Sequence, residues 1–171
     1  MKTLVYDIEA DGLLDTVSKV HCIVISEVNS EVYHRHFGEQ GIAMALDTLS
    51  KADYIIAHNQ IGYDLRVLEK LYPTFKRPPL SKIIDTLVLS RLAYPDRPGG
   101  HSLEAWSKYF IERGLSVPEK YMINNWTDQT LEEYLERCGT DVMINTKVYE
   151  FLSKQIEPSE LGREEVWLKI T

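Results

Sequence analysis

Apolar and polar residues alternate over residues 3–8, so the chain opens on a half-buried strand that runs into acidic positions. Two more β-type stretches follow at residues 20–28 and 31–37, separated by the turn-forming pair Asn29-Ser30, and the three together read as an antiparallel meander. The spacing then changes. Ile42, Ala45, Leu46 and Leu49 fall on one face of a helix over residues 40–51, and a short buried strand is expected at 54–57. Ile61, Leu65, Leu68 and Leu71 predict a helix over 61–71 that Pro73 stops. A strand at 82–84, a helix at 86–92, an exposed loop rich in proline and glycine at 95–100 and a helix at 102–111 follow. Thr130-Leu131-Glu132-Glu133 has the capping-box form and starts a long helix through residue 152, which Gly139 is expected to bend. Three strands, a helix, and then alternating strands and helices predict an α/β fold: a mixed sheet, part antiparallel meander and part parallel strands, flanked by helices.

With 171 residues, one domain is expected at residues 1–155, and residues 156–171 are a tail or the start of a further helix, with Glu164, Val166, Trp167 and Ile170 in amphipathic spacing. The two cysteines, Cys22 and Cys138, have no metal-type spacing, and no stretch resembles a secretion signal or a membrane span. A reduced cytoplasmic setting is therefore expected, and Asn125-Trp126-Thr127 is a chance sequon. The net charge of −7 argues against coating of duplex nucleic acid by long-range attraction. Its distribution is uneven. Residues 66–113 hold nine basic and five acidic side chains, a local +4 that leaves −11 elsewhere, so a phosphate-tolerant rim beside an acidic pocket and ordinary solvated charge are both open.

Candidate chemistry lies in the acids. Asp7 and Glu9, two apart on the first strand, project to one face with Cα atoms about 6.7 Å apart. Two carboxylates on one face repel, and each is costly to desolvate, so they suit a cation or a solvated edge better than a core. Asp64 opens a helix, where it either complements the helix dipole or serves a site. Asp141 sits within the last helix beside its apolar stripe, where an aspartate needs compensation and a metal ion would supply it. Four carboxylates on rigid elements suit phosphodiester cleavage assisted by two divalent ions about 3.5–4 Å apart, and all-oxygen donors predict Mg²⁺ or Mn²⁺.

These residues, in context, resemble the proofreading 3′–5′ exonuclease domain of phage-type family A DNA polymerases, in the DnaQ-like group of the ribonuclease-H-like superfamily. Asp7-Ile8-Glu9-Ala10-Asp11-Gly12-Leu13 is similar to its first motif, His58-Asn59 through Tyr63-Asp64 to its second, and Asp141-Val142 to the start of its third. Ile84-Asp85-Thr86-Leu87-Val88-Leu89-Ser90-Arg91-Leu92 and His101-Ser102-Leu103-Glu104-Ala105-Trp106 extend the match over most of residues 1–155. The resemblance implies that Asp7, Glu9, Asp64 and Asp141 are catalytic ligands of two Mg²⁺ or Mn²⁺ ions and that the partner is the 3′ end of single-stranded DNA, with a polymerase domain or subunit beside it and no membrane. It also implies that Ala10, Leu13, Asn59, Tyr63 and His101 line the strand's path. Leu13 would wedge against the terminal base or pack into the core, and Asn59 reads equally well as a helix cap. Trp106 on an apolar helical face suits a core position.

The third motif departs from the family pattern. A tyrosine usually stands four residues before the last aspartate, orienting the attacking water, or a histidine five before; here those positions hold Arg137 and Glu136. Tyr134 lies seven residues upstream of Asp141, about 10 Å along a helix axis, too far for direct replacement. Arg137 is expected to hold the scissile phosphate or to pair with Glu133 one turn earlier. Activity is expected to survive, because a positioned general base adds only about 10²- to 10⁴-fold. Two other readings stay open: an exoribonuclease with the same acids, and a catalytically weak module that binds nucleic acid or a polymerase.

Overall fold

The computed structural model describes residues 1–120 and 129–156; the sequon at Asn125 and the amphipathic pattern of the tail beyond residue 156 lie outside the described residues. Five strands form one sheet in the order β3-β2-β1-β4-β5. β1 (Thr3–Ala10), β2 (Val20–Glu27) and β3 (Tyr33–Phe37) are the antiparallel meander, and β4 (Tyr54–Ala57) and β5 (Ile83–Asp85) run parallel to β1. The helices are α1 (Gly38–Ser50), α2 (Asp64–Leu71), α3 (Thr86–Ala93), α4 (Leu103–Glu112) and α5 (Leu131–Leu152). The architecture is the mixed α/β sheet expected from the hydrophobic pattern.

Alternation along β1 divides the core. Leu4, Tyr6 and Ile8 face the layer that holds Ile42, Leu46, Leu49, Leu65 and Leu68 of α1 and α2. Val5 faces the opposite layer, where Trp106 and Phe110 of α4 and Cys138, Val142 and Val148 of α5 are buried. Asp7 and Glu9 continue the Val5 face, so the period of two that buries Val5 aims both acids at α5.

Several boundaries differ from the expected ones, for local reasons. β1 runs to Ala10, so Glu9 lies within the strand, paired with Cys22. The helix expected from residue 61 begins at Asp64, because the Asp85 carboxylate accepts the backbone amides of Asn59 at 2.8 Å and Ile61 at 3.1 Å and keeps that stretch a turn. α5 is one unbroken helix through Gly139, started by Thr130 and Glu133 as a reciprocal capping box. No helix among the described residues is long and apolar enough to cross a membrane.

Candidate active site

α5 lies across the end of β1, and the two elements carry the central acids. The Cys138 thiol donates to the Asp7 carbonyl at 3.1 Å, which seats the helix on the strand with Arg137 and Asp141 at the strand's acidic end. One carboxylate oxygen from each of Asp7, Glu9 and Asp141 lies within 4.8 Å of the others. Oxygens on one Mg²⁺ ion lie about 3.0 Å apart when cis and about 4.2 Å when trans, so the trio would draw in by roughly 1–2 Å at most to close on an ion. Glu9 and Asp141 are buried. Asp141 Oδ1 is buried with no hydrogen-bond partner among the described residues, a costly state for a carboxylate oxygen. A hard divalent cation fits that oxygen and this all-oxygen donor set.

Asp64, at the first turn of α2, is buried but does not belong to the trio. It comes in from the other helical layer, and its charge is felt at Asp7 and Tyr6. Burial pushes its pKa up to about 8, the nearby charges of Asp85 and Glu9 adding to the shift and the backbone amides of Asp64 and Ile8 opposing it. Asp7 is raised well above the carboxylate range by burial and then by the fields of Asp141, Glu9 and Asp64. Burial also raises Glu9 and Asp141, against the pull of Arg137 on the first and chiefly of Lys120 on the second.

Two protein cations sit among these acids. Arg137 forms a two-pronged ion pair with Glu9: Nε donates to Oε1 at 2.8 Å, and Nη2 donates to Oε2. Both side chains are buried. The expected pairing of Arg137 with Glu133 does not occur, because Glu133 is spent on the Thr130 amide in the capping box. Lys120 Nζ lies 3.2 Å from Asp141 Oδ2. Nothing in the local sequence marks Lys120, which only the tertiary fold brings to Asp141.

The loops around the acids are tied down by buried polar groups. Beyond accepting two amides of the 59–61 turn, Asp85 accepts the Leu87 amide and caps α3. Gln60 is fully buried, accepting from the Tyr6 hydroxyl and donating to the Ile84 carbonyl at 2.8 Å. His58 Nδ1 meets Thr86 Oγ1 at 2.9 Å, and Thr86 Oγ1 donates to Asn145 Oδ1 at 2.5 Å, one helical turn beyond Asp141. Asp85, Gln60, Thr86 and Asn145 read as unremarkable polar residues in the sequence. Gln60 fell within the second resembling motif and Asp85 and Thr86 within the block at 84–92, without any role suggested for them; nothing pointed toward Asn145.

The residues expected to line a strand's path fall into distinct settings. Leu13 is 78% exposed, which excludes the core alternative. Its loop is closed by the Asp11 carboxylate, which accepts the Ser18 amide at 2.8 Å, the Lys19 amide at 3.0 Å and the Ser18 hydroxyl. These bonds, the Ser18 hydroxyl first, lower the Asp11 pKa to about 2. Tyr63 donates its hydroxyl to the Gly12 carbonyl at 2.6 Å and so joins the second motif to the first. Asn59 adopts a left-handed φ of 63° and is not a cap: α2 starts after Tyr63 with no side-chain cap. A Cβ on Gly62 would meet the Asn59 side-chain amide, so a larger residue there would push that side chain aside. Ala10 is half-buried against the α1–α2 layer. His101 Nδ1 meets Ser90 Oγ at 2.7 Å, and that hydroxyl also accepts from Nε1 of Trp106, which is a core residue. Tyr134 stacks on His21 with ring centroids 4.1 Å apart. His21 is the residue left over where the β1–β2 register shifts beside Glu9, a bulge next to the acids.

No family model matches the chain. It is 35% identical to the DNA-directed DNA polymerase of Enterobacteria phage T3 and 34% identical to that of Escherichia phage T7, each match covering 60% of this chain. The chain spans 18% of the length of those polymerases. Among solved structures, Brucella melitensis NrnC superposes with a TM-score of 0.69 at 21% identity, over 97% of this chain and 79% of that one. Escherichia coli RNase D superposes with a TM-score of 0.64 at 15% identity, over 98% of this chain and 43% of that one. The chain thus has the ribonuclease-H-like fold of these proteins, and in sequence it resembles part of the phage-type family A DNA polymerases.

Proposed function

We propose that this chain is a metal-dependent exonuclease that hydrolyses phosphodiester bonds from the 3′ end of single-stranded DNA and releases nucleoside 5′-monophosphates. The observation that carries the reading is the convergence of Asp7, Glu9 and Asp141 within 4.8 Å, with one buried Asp141 oxygen unpartnered among the described residues. Arg137 and Lys120 offset only part of the desolvation and mutual repulsion that oppose ionisation of this cluster, so without a divalent ion it costs stability. Bound Mg²⁺ or Mn²⁺ ions would supply the acidity that activates water and the charge that stabilises the departing 3′ oxygen. Brucella melitensis NrnC has been solved with bound Mg²⁺ and bound to pGG, which agrees with this reading.

In this proposal Asp7, Glu9 and Asp141 hold the cations, and Asp64 completes the set from the second motif. Leu13, exposed on a loop pinned by Asp11, abuts the last base of the strand, and Tyr63 fixes that loop relative to the acids. Ala10, Asn59 and His101 line the remaining path. Arg137 stands where the family's water-orienting tyrosine is expected. A guanidinium is always protonated and cannot accept a proton, so Arg137 cannot serve as a base. Its fork orients Glu9, and contact with the phosphate would need donors beyond the two already committed there.

The similarity to phage DNA polymerases supports DNA as substrate and proofreading beside a polymerase as the setting. RNase D is described as an exoribonuclease, so RNA is the substrate to exclude. The test is incubation of purified protein and Mn²⁺ with 5′-labelled DNA and RNA oligonucleotides of one sequence. A ladder shortening from the 3′ end of DNA, absent with a chelator and in Asp7→Ala, is expected. A ladder on RNA alone would reassign the substrate, and no ladder on either would refute catalysis.

A further inference from the structure

The two cations in the acidic site differ in how they are held. Arg137 is buried, grips Glu9 through two donors of a rigid fork, and is carried by the middle of α5. Lys120 makes one ion pair among the described residues, at 3.2 Å, its side chain is 29% exposed, and it stands outside any helix or strand. It holds Oδ2 of the same Asp141 carboxylate whose Oδ1 is buried without a partner among the described residues. An ammonium is a point charge on a flexible stem that keeps its hydration readily, whereas a buried guanidinium fork is fixed in place.

We propose that Lys120 is an intramolecular competitor for the divalent ion. Its ammonium neutralises Asp141 in the ion-free protein and swings toward solvent when an ion takes that carboxylate, while Arg137 stays on Glu9. The inference rests on the metal-dependent reading above. It explains how so many buried acids can be held together before an ion arrives, and it makes Lys120 a residue that sets the ion's apparent affinity. A ligand that must displace an internal partner binds more weakly by the weight of the displaced state.

Two measurements test this. Calorimetric titration with Mn²⁺ should give binding about three- to tenfold tighter in Lys120→Met, which keeps the stem and removes the charge, and binding within about twofold of the parent in Lys120→Arg. In the unmodified protein, acylation of amines by an N-hydroxysuccinimide ester, mapped by mass spectrometry, should modify Lys120 faster when Mn²⁺ is present. Lys51 and Lys108, each paired with an acid on its own helical face, serve as unchanged references. If the parent binds Mn²⁺ but Lys120→Met binds it equally or more weakly, or if Lys120 labelling is insensitive to Mn²⁺, the competitor role is overturned and the metal-dependent reading stands. If neither protein binds Mn²⁺, both fall.

Discussion

Removing the guanidinium of Arg137 should expose how strongly the site depends on its internal ion pair. The pair is buried on both sides, and it joins residues 128 positions apart on the two elements that frame the site. Breaking such a pair by deleting one partner costs about 3–5 kcal/mol, whereas replacing both partners with apolar groups of similar size is close to neutral. The two halves are not equivalent here. In Arg137→Met, Glu9 is left facing Asp7 and Asp141, so that variant should lose about 3–5 kcal/mol near pH 8, less near pH 5 as Glu9 takes up a proton. In Glu9→Leu, Arg137 still feels the charges of Asp141 and Asp7, so the loss should be smaller, about 1–2 kcal/mol. The double variant should return to within about 1 kcal/mol of the parent. For a chain of this size 1 kcal/mol shifts Tm by about 2–4 °C, so Arg137→Met should melt roughly 6–20 °C lower. The assay is urea and thermal unfolding of chelator-treated protein with equal m-values across the set. Additive single effects, or an Arg137→Met variant within about 0.5 kcal/mol of the parent, would refute the argument that this pair is energetically coupled.

Other perturbations have definite signs. Asp64, raised to about 8, binds its proton more tightly in the folded than in the unfolded chain. Stability from this group is therefore full below pH 4 and is lost as pH rises toward 8, by at most about 5 kcal/mol, so metal-free protein should melt lower at pH 8 than at pH 5 and Asp64→Asn should flatten that slope. Mn²⁺ should restore more stability at pH 8 than at pH 5, since binding must displace fewer protons there. Leu13→Ala should change unfolding free energy by less than about 0.5 kcal/mol, because the side chain is exposed, while slowing removal of the terminal nucleotide. Asp85→Ala strips acceptors from the amides of Asn59, Ile61 and Leu87 and should cost about 2–4 kcal/mol by urea unfolding.

Much of the fold was legible because the hydrophobic period changes from two to nearly four at the right places. The strand at Tyr54–Ala57 and the capping box at Thr130 appear where the pattern put them. The first turn of α2 was misjudged because Ile61 carries helical spacing but its amide is claimed by Asp85, a contact across 24 residues that no local signal reveals. The same limit applied to the acids. Alternation on β1 sufficed to put Asp7 and Glu9 on one face, and the stripe of α5 put Asp141 toward it, whereas Asp64 approaches from the opposite layer and is not within the trio's spacing. Arg137 was visible as an anomaly at the tyrosine position, yet its partner Glu9 lies on another element. Lys120 had no signal at all, since it meets Asp141 only through the tertiary fold.

The central claim is that the acids of β1 and α5 form a divalent-cation site acting on a nucleic-acid 3′ end. A crystal soaked with Mn²⁺ and a short single-stranded oligonucleotide tests it most directly, through the anomalous scattering of manganese. Strong peaks are expected at coordination distance, about 2.1–2.2 Å, from oxygens of Asp7 and Asp141, with the terminal phosphodiester bound beside them. An acidic cluster that binds no manganese, or an oligonucleotide seated with its 3′ end away from Asp7, would contradict it.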